Sequence, residues 1–334
     1  MKVAFFDVAP TESALIRKRF PQATIIEEPL TEATTHAAKE AEVVSIFVSS
    51  SASTAVIKQL PQLQHLALRS TGYNHVDLAA CRERHISIST VPTYGENTVA
   101  EYAFTLMLAL IRKLPATLEQ VRNGEIDHTT TMGFDLMGKT LGVVGTGRIG
   151  GHAVSIGRGF VMKVIGFDPF PRMELEGQLG FTYVDFRELL KTADIITIHA
   201  PLTSGTKHLF DAAAFRKLQS SAILINTSRG EIIDTTALLT ALEKHQLAGA
   251  GLDVIEGEAM LEVSEELHLI GRHPGKRNLE LAADISALEK LPNVIITPHN
   301  AFNTAEAVQR IWDTTYNNID GFLSGKSLNI LTAR

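Results

Sequence analysis

Short apolar runs alternate with amphipathic stretches along nearly the whole chain, and no other feature restricts its possible folds as much. "KVAFFDV" precedes the helix-like "TESALIRKRF", "ATIIEEP" precedes "TEATTHAAKE", and "EVVSIFVS", "LQHLALRS" and "ISIST" follow. A second series begins at Lys139, with "TLGVVG", "KVIGFD", "IITIHA", "AILINT", "GAGLDV" and "VIITP" separated by helical stretches. Such alternation implies βαβ units and parallel sheets, an α/β fold. The six runs of the second series suit one doubly wound sheet.

A long amphipathic helix is expected between the two series, from about Asn97 to Leu114, followed by the polar, Thr-rich "NGEIDHTTTMGFDLMG". The tail from Thr304 to Leu323, "TAEAVQRIWDTTYNNIDGFL", is again helical in period and follows the last strand of the second series. If it crosses back onto the first series, the first domain is discontinuous. It then comprises residues 1–96 plus 303–334, with residues 97–302 inserted as a second domain and hinge crossings near 96 and 302. A chain of 334 residues is long enough for about two domains, each with its own core.

Composition removes several function classes. Hydrophobic residues at 45% and charged residues at 20% describe a globular chain. A net charge of -6 gives no electrostatic reason to expect nucleic acid or an anionic membrane as partner. Asp7 interrupts the N-terminal apolar run, which reads as a first strand rather than a signal peptide. The longest apolar stretch, "AFTLMLALI", is about half of what a bilayer crossing needs. The single Cys81 can form no intrachain disulfide, and there are no cysteine pairs to hold zinc. The expectation is a soluble, cytoplasmic protein without a metal site.

"TLGVVGTGRIGG" places Gly145, Gly147 and Gly150 after an apolar strand and at the start of a helix. Glycines so spaced can serve a plain strand-to-helix turn, but the flanks argue for a dinucleotide. "KVIGFD" ends in Asp168, 23 residues after Gly145, where the acidic ribose ligand of such sites falls. Gly145 permits the tight turn, Gly147 lets backbone approach a pyrophosphate, and Gly150 lets helix and strand pack closely. Amides around Arg148 and Ile149 face the phosphates at the helix N-terminus. Asp168 favours NAD over NADP, a preference tempered by Arg172 nearby. "HAPLTSGTKHLF" also follows a strand, so His199, Pro201 and Thr206 are expected along the cofactor.

Three further strand ends carry charge: "AILINTSRG" ends at Arg229, "GAGLDVIEGE" carries Asp253 and Glu258, and "VIITPHNAF" delivers His299. Taken singly, Arg229 suits a helix terminus or the surface, Glu258 a solvated loop, and His299 a satisfied strand end. Together they match hydride transfer at a carbon bearing oxygen. That chemistry needs a proton donor, a group to tune it and a cation for a carboxylate substrate; His, Glu and Arg fill these roles.

These pieces, with "RSTGYNHVD" and "VPTYGENTVAEYAF", resemble the D-2-hydroxyacid dehydrogenase family in its own order from residue 69 to 302. The resemblance implies two doubly wound parallel-sheet domains around a cleft, a Rossmann NAD domain inserted in a flavodoxin-like substrate domain, usually as a homodimer. It implies that Arg229 pairs with the substrate carboxylate, that His299 protonates the carbonyl oxygen, and that Glu258 holds the His299 ring. Asp253 and Thr227 fall on the nicotinamide side. The backbone of Thr71, Gly72 and Tyr73 binds the substrate carboxylate.

Tyr94 and Phe302 resemble the aromatic lining of the D-lactate dehydrogenase branch, whose narrow apolar pocket suits pyruvate and D-lactate. The alternatives are another 2-oxoacid reductase, of glyoxylate/hydroxypyruvate or 3-phosphoglycerate type, and an NAD-responsive regulatory binding protein. Two departures from the family stand out. Arg158 and Gly159 replace small apolar residues, and the charged segment from about Ala259 to Leu288 reads as a solvated insertion, a lid or an oligomer contact.

Overall fold

The computed structural model describes residues 1–257 and 276–331. The chain divides into two compact units, Met1–Tyr94 with Thr304–Arg334, and Gly95–Asn303. The first unit holds strands β1 (Val3–Phe5), β2 (Thr24–Ile25), β3 (Val43–Ile46), β4 (His65–Leu68) and β5 (Ser87–Ser89). They form one parallel sheet in the order β2-β1-β3-β4-β5.

Side chains of this sheet alternate between two cores, as a period of two demands. Ala4, Phe6, Val44, Ile46, Leu66 and Leu68 enter one core, while Val3, Phe5, Val43 and Ala67 enter the other. The second core is completed by the helix Ala305–Leu323, which contributes Trp312 and Ile319. Trp312 Nε1 donates to Glu12 at 2.7 Å, and Arg19 pairs with Asp320 at 2.5 Å. The tail therefore returns to the first unit.

The second unit adds β6 (Thr140–Val144), β7 (Lys163–Phe167), β8 (Thr182–Tyr183), β9 (Ile195–Ile198), β10 (Ile223–Asn226), β11 (Gly249–Leu252) and β12 (Val294–Ile296). The order is β12-β11-β10-β9-β6-β7-β8, again wholly parallel. The alternating runs predict six of these strands; β8 is the addition, a two-residue edge strand too short to leave an apolar signature. Helices cover both faces, with Phe104 and Met107 of the helix Glu96–Ile111 in one core and Leu238 and Leu242 of Thr235–Glu243 in the other.

Three local expectations change. The long helix stops at Ile111; Lys113 takes a left-handed conformation (φ 47) and a second helix, Leu114–Arg122, begins. "TEATTHAAKE" yields only a 3-10 turn, Thr35–Ala38. There Thr34 and Thr35 spend their hydroxyls on Pro29 O and Glu32 O, which competes with helix growth. Of the segment 259–288, residues 259–275 lie outside the described residues. Its remainder is a helix, Lys276–Glu289, that buries Ile285 and Leu288 in the core and so is neither lid nor solvated insertion. Among the described residues no helix is long and apolar enough to cross a membrane.

One buried polar group makes the first unit acid-sensitive. His65 on β4 lies between Ser87 and Ser89 of β5, at 2.7 and 2.9 Å, and stacks on Phe322 with ring centroids 4.4 Å apart. Burial pulls its pKa from 6.5 down to about 4, so the folded chain holds it neutral. The unfolded chain takes up the proton first as the pH falls. The stability is therefore fully present above pH 6.5 and is lost between about 6.5 and about 4, at most about 3 kcal/mol. His65→Gln is expected to shrink the drop in melting temperature between neutral pH and about pH 4.5. Equal drops in both proteins would show that His65 is not the sensitive group.

Candidate active site

Phe167, Val144, Ile198, Asn226, Leu252 and Ile296 are register partners in one continuous row across β7, β6, β9, β10, β11 and β12. The next residue of each strand is Asp168, Gly145, His199, Thr227, Asp253 and Thr297, with Arg229 and His299 two positions further on. Most of the residues singled out in the second series thus emerge along one edge of one sheet. The strand order reverses between β6 and β9, which is where open α/β sheets form a ligand crevice.

The three glycines of the fingerprint differ in what demands them. Gly145 has φ 87, and a Cβ there would lie 2.6 Å from Ala200 N. A Cβ on Gly150 would lie 2.0 Å from Gly145 O. Both are required by the fold. At Gly147 a Cβ would meet nothing within 4 Å, so no protein atom requires glycine there. Gly147 caps the helix Arg148–Gly159, whose first amides, around Arg148 and Ile149, have no intrahelical acceptor. The space beside Gly147 and those amides fits a pyrophosphate. Arg148 is held at 3.5 Å from Glu96.

At the far side of the turn, Asp168 Oδ2 accepts from Thr146 N (2.9 Å) and Thr146 Oγ1 (3.2 Å), and Oδ1 accepts from Phe170 N (3.0 Å). On the other side of the crevice, His199 Nε2 meets Thr197 Oγ1 at 3.0 Å. Burial pulls the His199 pKa down to about 4, leaving the ring neutral. His199 Nδ1 and Thr227 Oγ1 are buried and have no partner among the described residues. Two orphaned polar atoms three residues or fewer from the row are what an absent polar ligand leaves behind, and the amide-bearing end of NAD fits them. Thr206 is used locally: its hydroxyl donates to Pro201 O at 2.6 Å and accepts from Thr203 N, closing the turn that carries Pro201.

Asp253 organises the catalytic end. It is fully buried and accepts from Thr297 Oγ1 (2.6 Å), Asn300 N (2.8 Å) and Ala301 N (2.8 Å). Burial pushes its pKa up, while those donors and nearby His299 pull it down. Its own carbonyl accepts from His299 N at 2.9 Å, and His299 sits at φ 49. Asp253 thus grips the 297–301 segment and sets where His299 stands. Spacing alone does not predict this grip, because Asp253 follows β11 and its partners follow β12.

Arg229 is half-buried and extended (φ -141, ψ 138). Its Nη1 donates to Ser228 O at 2.7 Å, and Asn226 Nδ2 donates to Arg229 O at 2.9 Å. Among the described residues no carboxylate lies within 4.0 Å of the guanidinium. Glu258 lies outside the described residues; two positions before it, Glu256 pairs with His208 at 2.9 Å. Phe302 follows on the same segment as His299 and is half-buried.

Thr71, Gly72, Tyr73 and Tyr94 belong to the first unit. Thr71, Gly72 and Tyr73 follow Arg69, a fully buried arginine whose Nη2 donates to Phe6 O and Asp7 O, both at 2.7 Å, and which lies 4.8 Å from the Trp312 ring. Ser70 Oγ donates to Gly72 O at 2.7 Å and Thr71 Oγ1 to Val91 O at 2.6 Å. Arg310 Nε donates to Tyr94 O at 2.6 Å. Arg69 has no role in the sequence reading, though an arginine closing the apolar run "HLAL" was the available signal.

The chain is similar to known proteins over most of its length. The profile described as D-isomer specific 2-hydroxyacid dehydrogenase, NAD binding domain, matches residues 104–301. The D-lactate dehydrogenase of Escherichia coli is 35% identical over 301 residues, 89% of this chain and 88% of that protein. A glycerate dehydrogenase of Methylorubrum extorquens is 35% identical over 283 residues, 83% of this chain and 81% of that one. The structure of D-lactate dehydrogenase from Aquifex aeolicus, complexed with NAD and lactic acid, superposes with a TM-score of 0.86 at 30% identity, covering 97% and 96% of the two chains.

The glycines give a clean separation of fold from ligand. Gly147→Ala is expected to melt like the parent without cofactor yet bind NADH at least about tenfold more weakly. Gly150→Ala is expected to lower the melting temperature itself. Unchanged NADH affinity in Gly147→Ala, measured by fluorescence titration, would remove the pyrophosphate from this turn.

Proposed function

The chain belongs to the D-isomer specific 2-hydroxyacid dehydrogenases, NAD-dependent oxidoreductases acting on the CH–OH group of 2-hydroxy acids, and from that premise we propose that it interconverts pyruvate and D-lactate. The observation that carries the proposal is Arg229, whose guanidinium meets only the Ser228 carbonyl among the described residues. A charge that cannot be shed, half-buried at a crevice, calls for an anion, and a substrate carboxylate supplies one. A charged, two-pronged contact of this kind contributes about 1.5–3 kcal/mol.

When bound, the reduced nicotinamide supplies a hydride to C2 of the 2-oxo acid. Gly145, Gly147, Arg148, Ile149, Gly150 and Asp168 hold the cofactor's phosphates and ribose, with His199, Pro201, Thr206, Thr227 and Asp253 along its length. His299, set by the Asp253 grip, gives its ring proton to the C2 oxygen, a role worth about 10²–10⁴ in rate. Glu258, outside the described residues, is the residue we assign to hold the His299 ring. In the first unit, the backbone of Thr71, Gly72 and Tyr73 is assigned to the substrate carboxylate. Tyr94 and Phe302 are assigned to the substrate's side chain, where aromatic residues suit a methyl group.

The names of the Escherichia coli and Aquifex aeolicus relatives favour the lactate reading. A hydroxypyruvate or glyoxylate reductase is the second reading, favoured by the glycerate dehydrogenase among the relatives. NADH oxidation with pyruvate, hydroxypyruvate, glyoxylate and 2-oxobutyrate separates the two. Pyruvate is expected to give the highest kcat/KM, Phe302→Ala to widen use of bulkier acids, and Arg229→Lys to lose at least about tenfold. A hydroxypyruvate preference would replace the lactate reading, and no turnover despite NADH binding would remove the enzyme.

The working form is proposed as a homodimer in the cytoplasm. The helix Leu114–Arg122 buries none of its residues and exposes Leu114, Leu118 and Val121 along one face. Ile126, Met132 and Met137 follow, also exposed. An apolar face of this kind marks an association surface. A buried, lone Cys81 suits a reducing compartment. Sedimentation is expected to give twice the 36.4 kDa chain mass, and Leu118→Glu to give the monomer; a parent protein that sediments as a monomer would reject the assignment.

A further inference from the structure

A directed chain of hydrogen bonds links Arg172 to Asp168 through two hydroxyls. Arg172 N donates to Tyr183 Oη at 3.3 Å, Tyr183 Oη meets Thr146 Oγ1 at 2.7 Å, and Thr146 Oγ1 meets Asp168 Oδ2 at 3.2 Å. The direction follows from the acceptors. A carboxylate only accepts, so the single Thr146 proton goes to Asp168. Thr146 Oγ1 is then free to accept the Tyr183 proton, and the Tyr183 oxygen accepts from Arg172 N. Such a chain polarises each member in the same sense and strengthens the last bond to the anion.

The same turn restrains the Arg172 side chain. Its Nη2 donates to Thr146 O at 3.2 Å, folding the guanidinium back onto the fingerprint. Thr146 is almost fully buried and is packed from below, since a Cβ on Gly166 would come within 3.0 Å of its methyl group. Tyr183 is fixed in turn, its N donating to Glu176 Oε1 at 2.6 Å. The one strand that leaves no apolar signature, β8, therefore carries a residue bonded into the cofactor turn.

We infer that Thr146 and Tyr183 are the positioning residues that decide between NAD and NADP. They hold the Asp168 carboxylate toward the adenosine ribose and keep Arg172 folded away from the 2′ position. With the Thr146 hydroxyl gone, Asp168 keeps only the donors Thr146 N and Phe170 N, and Tyr183 loses its acceptor. With the Tyr183 hydroxyl gone, Arg172 N loses its acceptor. In both cases the turn carrying Arg172 is loosened, so that its guanidinium meets a 2′-phosphate. The inference rests on the reading of Asp168 as the ribose acceptor.

The test is direct binding of NADH and of NADPH by fluorescence titration, without substrate, to the parent chain, Thr146→Val, Tyr183→Phe, Tyr183→Phe/Arg172→Ala and Asp168→Ala. Thr146→Val and Tyr183→Phe are each expected to narrow the NADH-to-NADPH affinity ratio at least about tenfold. Adding Arg172→Ala is expected to restore most of the ratio by weakening NADPH. Tyr183→Phe removes one atom and gives the answer if Thr146→Val does not fold. Equal weakening of both cofactors, or an unchanged ratio in Tyr183→Phe while Asp168→Ala narrows it, would overturn the inference alone. An unchanged ratio in Asp168→Ala would overturn the ribose reading and the inference with it.

Discussion

Parallel pairing delivers the end of every strand to the same edge of a sheet, and in the second unit that delivery is in step. Phe167, Val144, Ile198, Asn226, Leu252 and Ile296 are partners in one row, so the residue that follows each stands at nearly the same height. Strands lie about 4.8 Å apart, which puts the Asp168 and Thr227 positions, three strands away, about 14 Å from each other. A slip of one residue in any strand would turn its polar terminal residue into the core and raise an apolar one in its place. The apolar faces of Leu141, Val143, Ile195 and Ile223 on one side, and Val144, Ile196, Ile198 and Leu224 on the other, fix the register against that slip. Core packing and site geometry are thus the same constraint.

Charge is distributed along this edge by how it is satisfied. Asp253 is fully buried and meets three donors, so its charge is consumed in holding the 297–301 segment. Asp168 is partly open and keeps acceptor capacity beyond the protein donors it meets. Arg229 has a backbone carbonyl for company. Both carboxylates meet three protein donors, and they differ in exposure: the open one, Asp168, can accept from a ligand as well.

Much of this was legible in the sequence because strands covered on both faces must be written as short apolar runs. Asp168, His199, Arg229, Asp253 and His299 each follow such a run closely, so their positions at strand ends could be read directly. What escaped reading was of two kinds. Elements with too little burial leave no pattern, as with β8, where Thr182 is exposed. Lys113 in a left-handed conformation is likewise a break that lysine does not advertise. Contacts between distant strands leave no local trace either: the Asp253 grip on Asn300, the Thr146–Tyr183 bond and the Arg69 clamp each join residues far apart in the chain.

The helix Ala305–Leu323 has a consequence for the order in which the chain becomes a protein. It brings Trp312 against Phe5 and over Arg69, and Ile319 into the same core, yet the ribosome makes it only after the whole second unit. Throughout that interval Phe5, Phe20 and the Arg69 guanidinium lack the cover they have at the end. The second unit, whose described elements all lie between residues 95 and 303, can close its core first. Synthesis therefore completes the inserted unit before the one that begins the chain, whose second core stays open until the last helix is made.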